Sequence, residues 1–228
     1  MRQTNVLPDG VLGHTLGQPW RIAALSLDLA LLNSPRVADA EFNFSHHGLI
    51  LSGSLNQLHR HGQLIDADTK PHAPQTIAHY LQHLIFCAAD VPGIEHSTHI
   101  LYPPAPLQLP PIDAATAQQL LRPWLAWYVP GQQQPLPFFA QTGLAAAQAW
   151  YKQDPDSTTP PDSAKQAAHS AYVGNRFKPG QAQRTEVALA FGRHDTLPTD
   201  TPLFWQLVAD LLLPMIAHTQ DAALETDA

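Results

Sequence analysis

A chain of 228 residues that is 44% hydrophobic can bury a sizeable core, and it fits one large domain with embellishments better than two small ones. A net charge of -7 with only twelve Lys and Arg excludes a broad phosphate-tracking surface, because nonspecific duplex affinity comes mainly from neutralising phosphates; any contact with DNA is local. The single cysteine, Cys87, excludes a disulfide framework and points to a reducing cytoplasm, and no apolar stretch reaches the ~20 residues of a bilayer span, which argues against a membrane function.

Residues 1–13 lack the basic and apolar regions of a secretory signal. The stretch 18–33, rich in Ala and Leu and ending at Asn33-Ser34-Pro35, reads as a helix with a clear stop. A clean alternation follows, Ala38, Ala40, Phe42 and Phe44 against Asp39, Glu41, Asn43 and Ser45, which predicts a half-buried strand. Two extended runs, 49–58 and 63–70, are joined by His59-Arg60-His61-Gly62, so three consecutive strands with short, antiparallel connections are expected. Over 74–90 the apolar residues Ile77, Tyr80, Leu81, Leu84, Ile85 and Ala88 recur at helical steps, with Pro71 and Pro74 setting the start. Residues 97–102 predict a fourth strand after that helical crossover. In the second half Asp113 is placed to cap a helix carrying Leu120, Leu121, Trp124, Leu125 and Tyr128, which Pro123 should kink or shift. Residues 143–152 and 163–173 read as helices around a loop at 154–162, residues 185–191 as a strand, and Thr201-Pro202 as the opening of a last helix with a wide apolar stripe. Twenty-two prolines cluster between these elements as stiff connections, among them Leu109-Pro110-Pro111. The fold expected is α/β: a mixed sheet flanked by helices over residues 14–112, with a mostly helical extension over 113–228 packed on it as one domain.

The chemistry suggested by this layout is that of a metal-dependent nuclease. Asp66, Asp68 and Lys70 fall two apart and so share one face of an extended run, the spacing an Asp-x-Lys metal and water site requires. A live enzyme would hold hard cations between Glu41, Asp66 and Asp68 and use Lys70 to polarise the attacking water. The neighbouring run has no acid to answer them: its polar face is Ser52, Ser54 and Asn56, and an amide in place of a carboxylate keeps an oxygen ligand but removes a unit charge on which divalent affinity depends. Short tripeptides of this kind are also common as solvated charges at strand ends. His79 and His83, one helical turn apart, lack a second ligand pair, so the pair reads as a solvent-facing or partner-facing helix side rather than a zinc site, and Cys87 as a small core hydrophobe. Trp124, Trp127, Tyr128, Phe138 and Phe139 crowd around Pro130, Pro135 and Pro137. Core packing accounts for most of them, while two consecutive phenylalanines in a proline-rich loop suggest a docking surface for a partner at Pro135, Pro137, Phe138 and Phe139. Phosphate-binding glycine loops and nucleophile elbows do not occur.

Several blocks in order resemble the C-terminal domain of the RecC family. Leu7-Pro8-Asp9-Gly10-Val11-Leu12-Gly13 is similar to the family's Leu-Pro-x-Gly-x-Leu-Gly opening, Tyr80-Leu81-Gln82-His83-Leu84 with Ala88 to its Trp-x-x-His-Leu helix, and Pro135-Leu136-Pro137-Phe138-Phe139-Ala140-Gln141-Thr142 to its Pro-Leu-Pro-Phe-Phe segment; Phe204 to Ile216, with Pro214, resembles its closing helix. The resemblance implies a PD-(D/E)XK nuclease fold without a working active site. Asn56 would stand at the first acid, Asp68 and Lys70 would be the remnant of the second motif with Asp66 beside them among the degenerate site positions, and Gln82 and Phe86 would occupy the spacing at which the nucleases carry Gln-x-x-x-Tyr. It further implies a noncatalytic role without a cofactor, holding RecB-like and RecD-like subunits and guiding DNA strands in double-strand break repair. The alternative is an autonomous metal-dependent DNA nuclease using Asp66, Asp68 and Lys70; a peptide-binding module working through residues 135–139 is a third reading.

Overall fold

The computed structural model describes residues 34–46, 48–67, 69–102, 106–192 and 197–226, with side chains as far as Thr219. The Leu7 to Gly13 block, the helix expected over 18–33, and Asp68 lie outside the described residues. Strand β1 (Ala40–His46) pairs antiparallel with β2 (Leu49–Leu55), and the two form a sheet of their own. The alternation read from the sequence holds in β1: Ala40, Phe42 and Phe44 turn inward, with the two rings stacked at 5.5 Å.

The run expected to continue to residue 58 breaks instead. Gln57 adopts a left-handed φ of 56°, and the chain restarts as β3 (Leu58–His59), which pairs antiparallel with β4 (Gly62–Asp66) in a second sheet. The three consecutive strands are thus divided between two sheets, because one residue in the left-handed region turns the strand out of its plane. Gly62 makes the β3 to β4 turn possible: its φ is +128°, and a Cβ there would lie 2.3 Å from the Ser97 carbonyl oxygen, so only glycine fits. The second sheet has the order β3-β4-β5-β6, with β5 (Thr98–Leu101) parallel to β4 and β6 (Leu107–Leu109) antiparallel to β5. Strand β6 falls in a stretch expected to be a proline connection; Pro106 and Pro110 bracket it, and it lies at the sheet edge, where prolines are tolerated.

Helix α1 (Ala73–Ala89) makes the crossover between the parallel strands, as its periodicity predicts. Pro74 stands in its first turn, the Gln75 side chain accepts from the His72 backbone N–H at 3.1 Å, and Asp90 ends the helix in a left-handed conformation. Helix α2 (Ala114–Gln133) is capped by Asp113, whose carboxylate accepts from the Thr116 N–H at 3.0 Å; the Thr116 side chain first, and then this backbone bond, hold the carboxyl below its ordinary range. Pro123 neither ends α2 nor shifts its start, since the helix runs through both Pro123 and Pro130. Helices α3 (Ala140–Gln153) and α4 (Asp162–Val173) follow around the expected loop.

Residues 185–191 correct the reading most sharply. They form helix α5 (Thr185–Phe191), stopped by Gly192 at φ 63°, not a strand. The final helical segment consists of α6 (Pro202–Leu207), a π-helical turn (Val208–Leu212) and α7 (Leu213–Thr226). Pro214 explains the wide turn: its ring clashes with the carbonyl four residues back, and the helix widens there rather than breaking. The core runs through the helices as a ring cluster in which Phe139 packs on Tyr172 at 4.9 Å, Phe191 at 5.1 Å and Phe204 at 6.4 Å, with Trp150 against Trp205 at 6.0 Å.

Candidate functional site

The parallel strands β4 and β5 end side by side, and the Ala67 N–H still bonds the Leu101 carbonyl at 2.9 Å beyond the last residue of β4. Ligand sites in α/β sheets concentrate beyond such carboxyl ends. Here the ends open into a cleft of about 940 Å³. Lys70, Pro71 and Thr76, leading into and along α1, border one side, and Ile100, Tyr102 and the whole of β6 continue it. The helical extension closes it with Leu144 and Gln148 of α3, Ala167 and Ser170 of α4, Lys178 in the loop after α4, and Ile216 of α7. Lys70 and Lys178 are the charged residues among the described lining; no Asp or Glu is among them.

Of the residues singled out as a degenerate nuclease site, Lys70 reaches this cleft. Strand β4 stops at Asp66, so Lys70 lies in the bend that follows rather than on the same strand face. Asp66 is exposed at the strand end and is not part of the lining; Asn56 is exposed at the break between the two sheets, where its carbonyl accepts from Gln63 Nε2 at 3.2 Å. Gln82 is half-buried on α1, and Phe86 is wholly enclosed, its ring meeting the His96 ring edge-on at 6.1 Å. Phe86 is therefore a core residue. Glu41 sits on the exposed face of β1, in the other sheet. Among the described residues no group of three or more His, Cys, Asp and Glu side chains stands close enough to hold a metal ion.

The histidine pair on α1 is also corrected. His83 does not face solvent or a partner: it is fully buried, its Nδ1 is 2.9 Å from the Thr98 hydroxyl of β5, and its ring stacks on His218 at 5.7 Å. Burial first, then the neighbouring His218, push its pKa down to about 3, so the ring is neutral. His79 is half-buried and shifted down for the same first reason. Cys87 is the core thiol expected; it donates to the His96 carbonyl at 3.2 Å, and burial pushes it up to about 12. The polar tie between His83 and Thr98 had no sequence signal, because the two lie on different elements brought together by the crossover.

The proline-aromatic block divides. Pro137 and Phe139 are buried, so neither offers docking surface; Pro135 is exposed and Phe138 half-buried, its ring edge-on to Trp124 at 5.9 Å. Phe138 and Leu136 open onto a groove of about 330 Å³ whose described lining is entirely apolar or aromatic, with Trp124, Trp127 and Tyr128 of α2 beside Leu81 and Ile85 of α1. Trp127 is held there by its indole N–H, which donates to Asp210 in the π-helical turn at 3.0 Å.

A mixed sheet flanked by helices, with a helix-walled cleft at its strand ends, places the chain among α/β proteins. A model of the RecC C-terminal domain matches residues 1–151, and the chain belongs to that family. Membership makes it a domain of the RecC, or exodeoxyribonuclease V gamma chain, type and links it to RecBCD-type complexes and DNA repair. Comparison with curated proteins finds no match.

Proposed function

We propose that this chain is a noncatalytic domain with a PD-(D/E)XK-like core over residues 14–112 and a helical extension over 113–228, serving a RecC-type subunit as scaffold and DNA guide. In this reading it holds RecB-like and RecD-like subunits in the cytoplasm and steers separated strands during double-strand break repair by homologous recombination. The observation that carries the reading is the dispersal of the nuclease positions among the described residues: Lys70 borders the cleft, Asp66 stands outside its lining, Asn56 is exposed at the break between the sheets, and Phe86 is core. Hydrolysis of a phosphodiester by this fold needs convergent carboxylates to hold a divalent cation. The apolar groove at Phe138 supports the scaffold role, because its aromatic lining is of the kind found at the centres of protein interfaces.

Two measurements test this. Incubated with linear duplex DNA and magnesium or manganese, the purified chain is expected to leave the DNA intact. Metal-dependent cleavage that disappears in Asp68→Ala would instead establish the autonomous nuclease of Asp66, Asp68 and Lys70. Coexpressed with the RecB-type and RecD-type subunits of its source, the chain is expected to copurify with them, and replacing Phe138 by Glu to weaken that association at least tenfold.

A further inference from the structure

We infer that the cleft at the end of β4 and β5 receives an extended polypeptide segment of a partner, carrying alternating apolar and acidic side chains, which adds to the edge of β6 that no other strand among the described residues pairs with. The carbonyls of Ser97 and Leu101 accept from Gln63 and Ala67 on the β4 side, so by the alternation of a parallel ladder Thr98 and Ile100 turn their backbone groups toward β6. They meet Leu109 and Leu107 there, which leaves the N–H and C=O of Gln108 directed away from the sheet. All three residues of β6 border the cleft, and Leu107 is 38% exposed. Pro106 and Pro110 confine the open edge to this short stretch, so pairing is local and side chains must supply most of the selectivity.

The lining states what those side chains are. Ile100, Leu109, Leu144 and Ile216 offer apolar contact, while Lys70, before α1, and Lys178, after α4, join the lining with no ion pair among the described residues. In a chain of net charge -7, a cleft whose described lining holds two cations and no acid complements an acidic occupant. Tyr80 lines the same cleft, and its hydroxyl, buried beneath that wall, has no hydrogen-bond partner among the described residues. A nucleic acid strand is the poorer fit: two cations neutralise little phosphate, and Tyr102 is the one half-exposed aromatic among the described lining on which a base can stack. The inference concerns the cleft alone and holds whichever assembly the chain joins.

Fluorescence anisotropy on the full 228-residue chain tests it with a fluorescein-labelled peptide of alternating leucine and glutamate. A leucine-lysine peptide and an oligothymidylate of matching length serve as competitors. The acidic peptide is expected to bind, with neither competitor displacing it. Gln108→Pro, which an edge strand tolerates while losing the outward N–H, should weaken binding about fivefold, the effect of one lost hydrogen bond. Joint replacement of Lys70 and Lys178 by Glu should weaken it at least tenfold, with unchanged thermal unfolding confirming that both variants fold. No binding of the acidic peptide, binding indifferent to these substitutions, or displacement by oligothymidylate would each overturn the proposal. The isolated chain suffices, so failure here is separate from failure to copurify with RecB-type and RecD-type subunits.

Discussion

His83 carries an unusual load for one residue, since it is the buried polar link between the crossover helix and the central parallel strand. Its folded pKa, about 3 against an ordinary 6.5, makes stability depend on pH in one direction. Between those values the unfolded chain binds a proton that the folded chain refuses, so stability is complete above about pH 6.5 and is lost as pH falls, by up to about 1.4 kcal/mol per unit. Urea midpoints measured from pH 7.5 down to 5 are expected to fall, and His83→Gln to flatten that slope; an equal slope in the variant would remove His83 as its source. Gly62 acts through the backbone alone. Gly62→Ala forces a Cβ toward the Ser97 carbonyl at a φ that side chains rarely adopt, and is expected to cost about 2 kcal/mol or more in denaturant unfolding.

At the scale of elements, α5 shows why a short apolar run misleads. Were residues 185–191 a strand, Val187, Leu189 and Phe191 would share one face. In the helix Val187 and Phe191 pack on the core, while Leu189 points away and is 82% exposed. Leu189→Lys is therefore expected to change stability by less than about 0.5 kcal/mol. Phe191→Ala should cost roughly 2 kcal/mol, less than a fully buried ring because Phe191 is half-buried. Comparable losses at both positions would argue for the strand. Helix α1 was legible for the opposite reason: seventeen residues give its period room to repeat, and prolines mark where it begins. Strand β6 was hidden because its three residues are too few for any period, and their pairing with β5 is what makes them a strand.

For the molecule as a whole, the family match ends at residue 151, yet the structure does not divide there. Tyr172 and Phe204 pack directly on Phe139, and Leu212 lies where a Cβ on Gly143 of α3 would meet it at 2.6 Å. A chain ending at residue 151 would expose this ring cluster along with the α3 face that buries Leu144, Ala147 and Trp150. It is expected to bind a hydrophobic dye and to lose the cooperative thermal transition of the full chain. A sharp, unshifted transition would mean that the later helices are an independent layer. The same later residues supply Lys178 and Ile216 to the cleft, so the candidate site and the stable core share their boundary.

The amino-acid order by itself determined the α/β class, the amphipathic helices, the inward face of β1, the cap at Asp113 and the kinship with RecC C-terminal domains. Each of these is written in local period, in turn chemistry or in a contiguous block, and needs no distant partner to be read. The tertiary structure alone decided that the three strands part at Gln57, that Phe86, Phe139 and His83 are interior, and that Lys70 lines one cleft together with Lys178 instead of sharing a strand with Asp66. Those outcomes depend on which elements the crossover and the closing helices bring into contact, and burial is a property of that contact rather than of the residue.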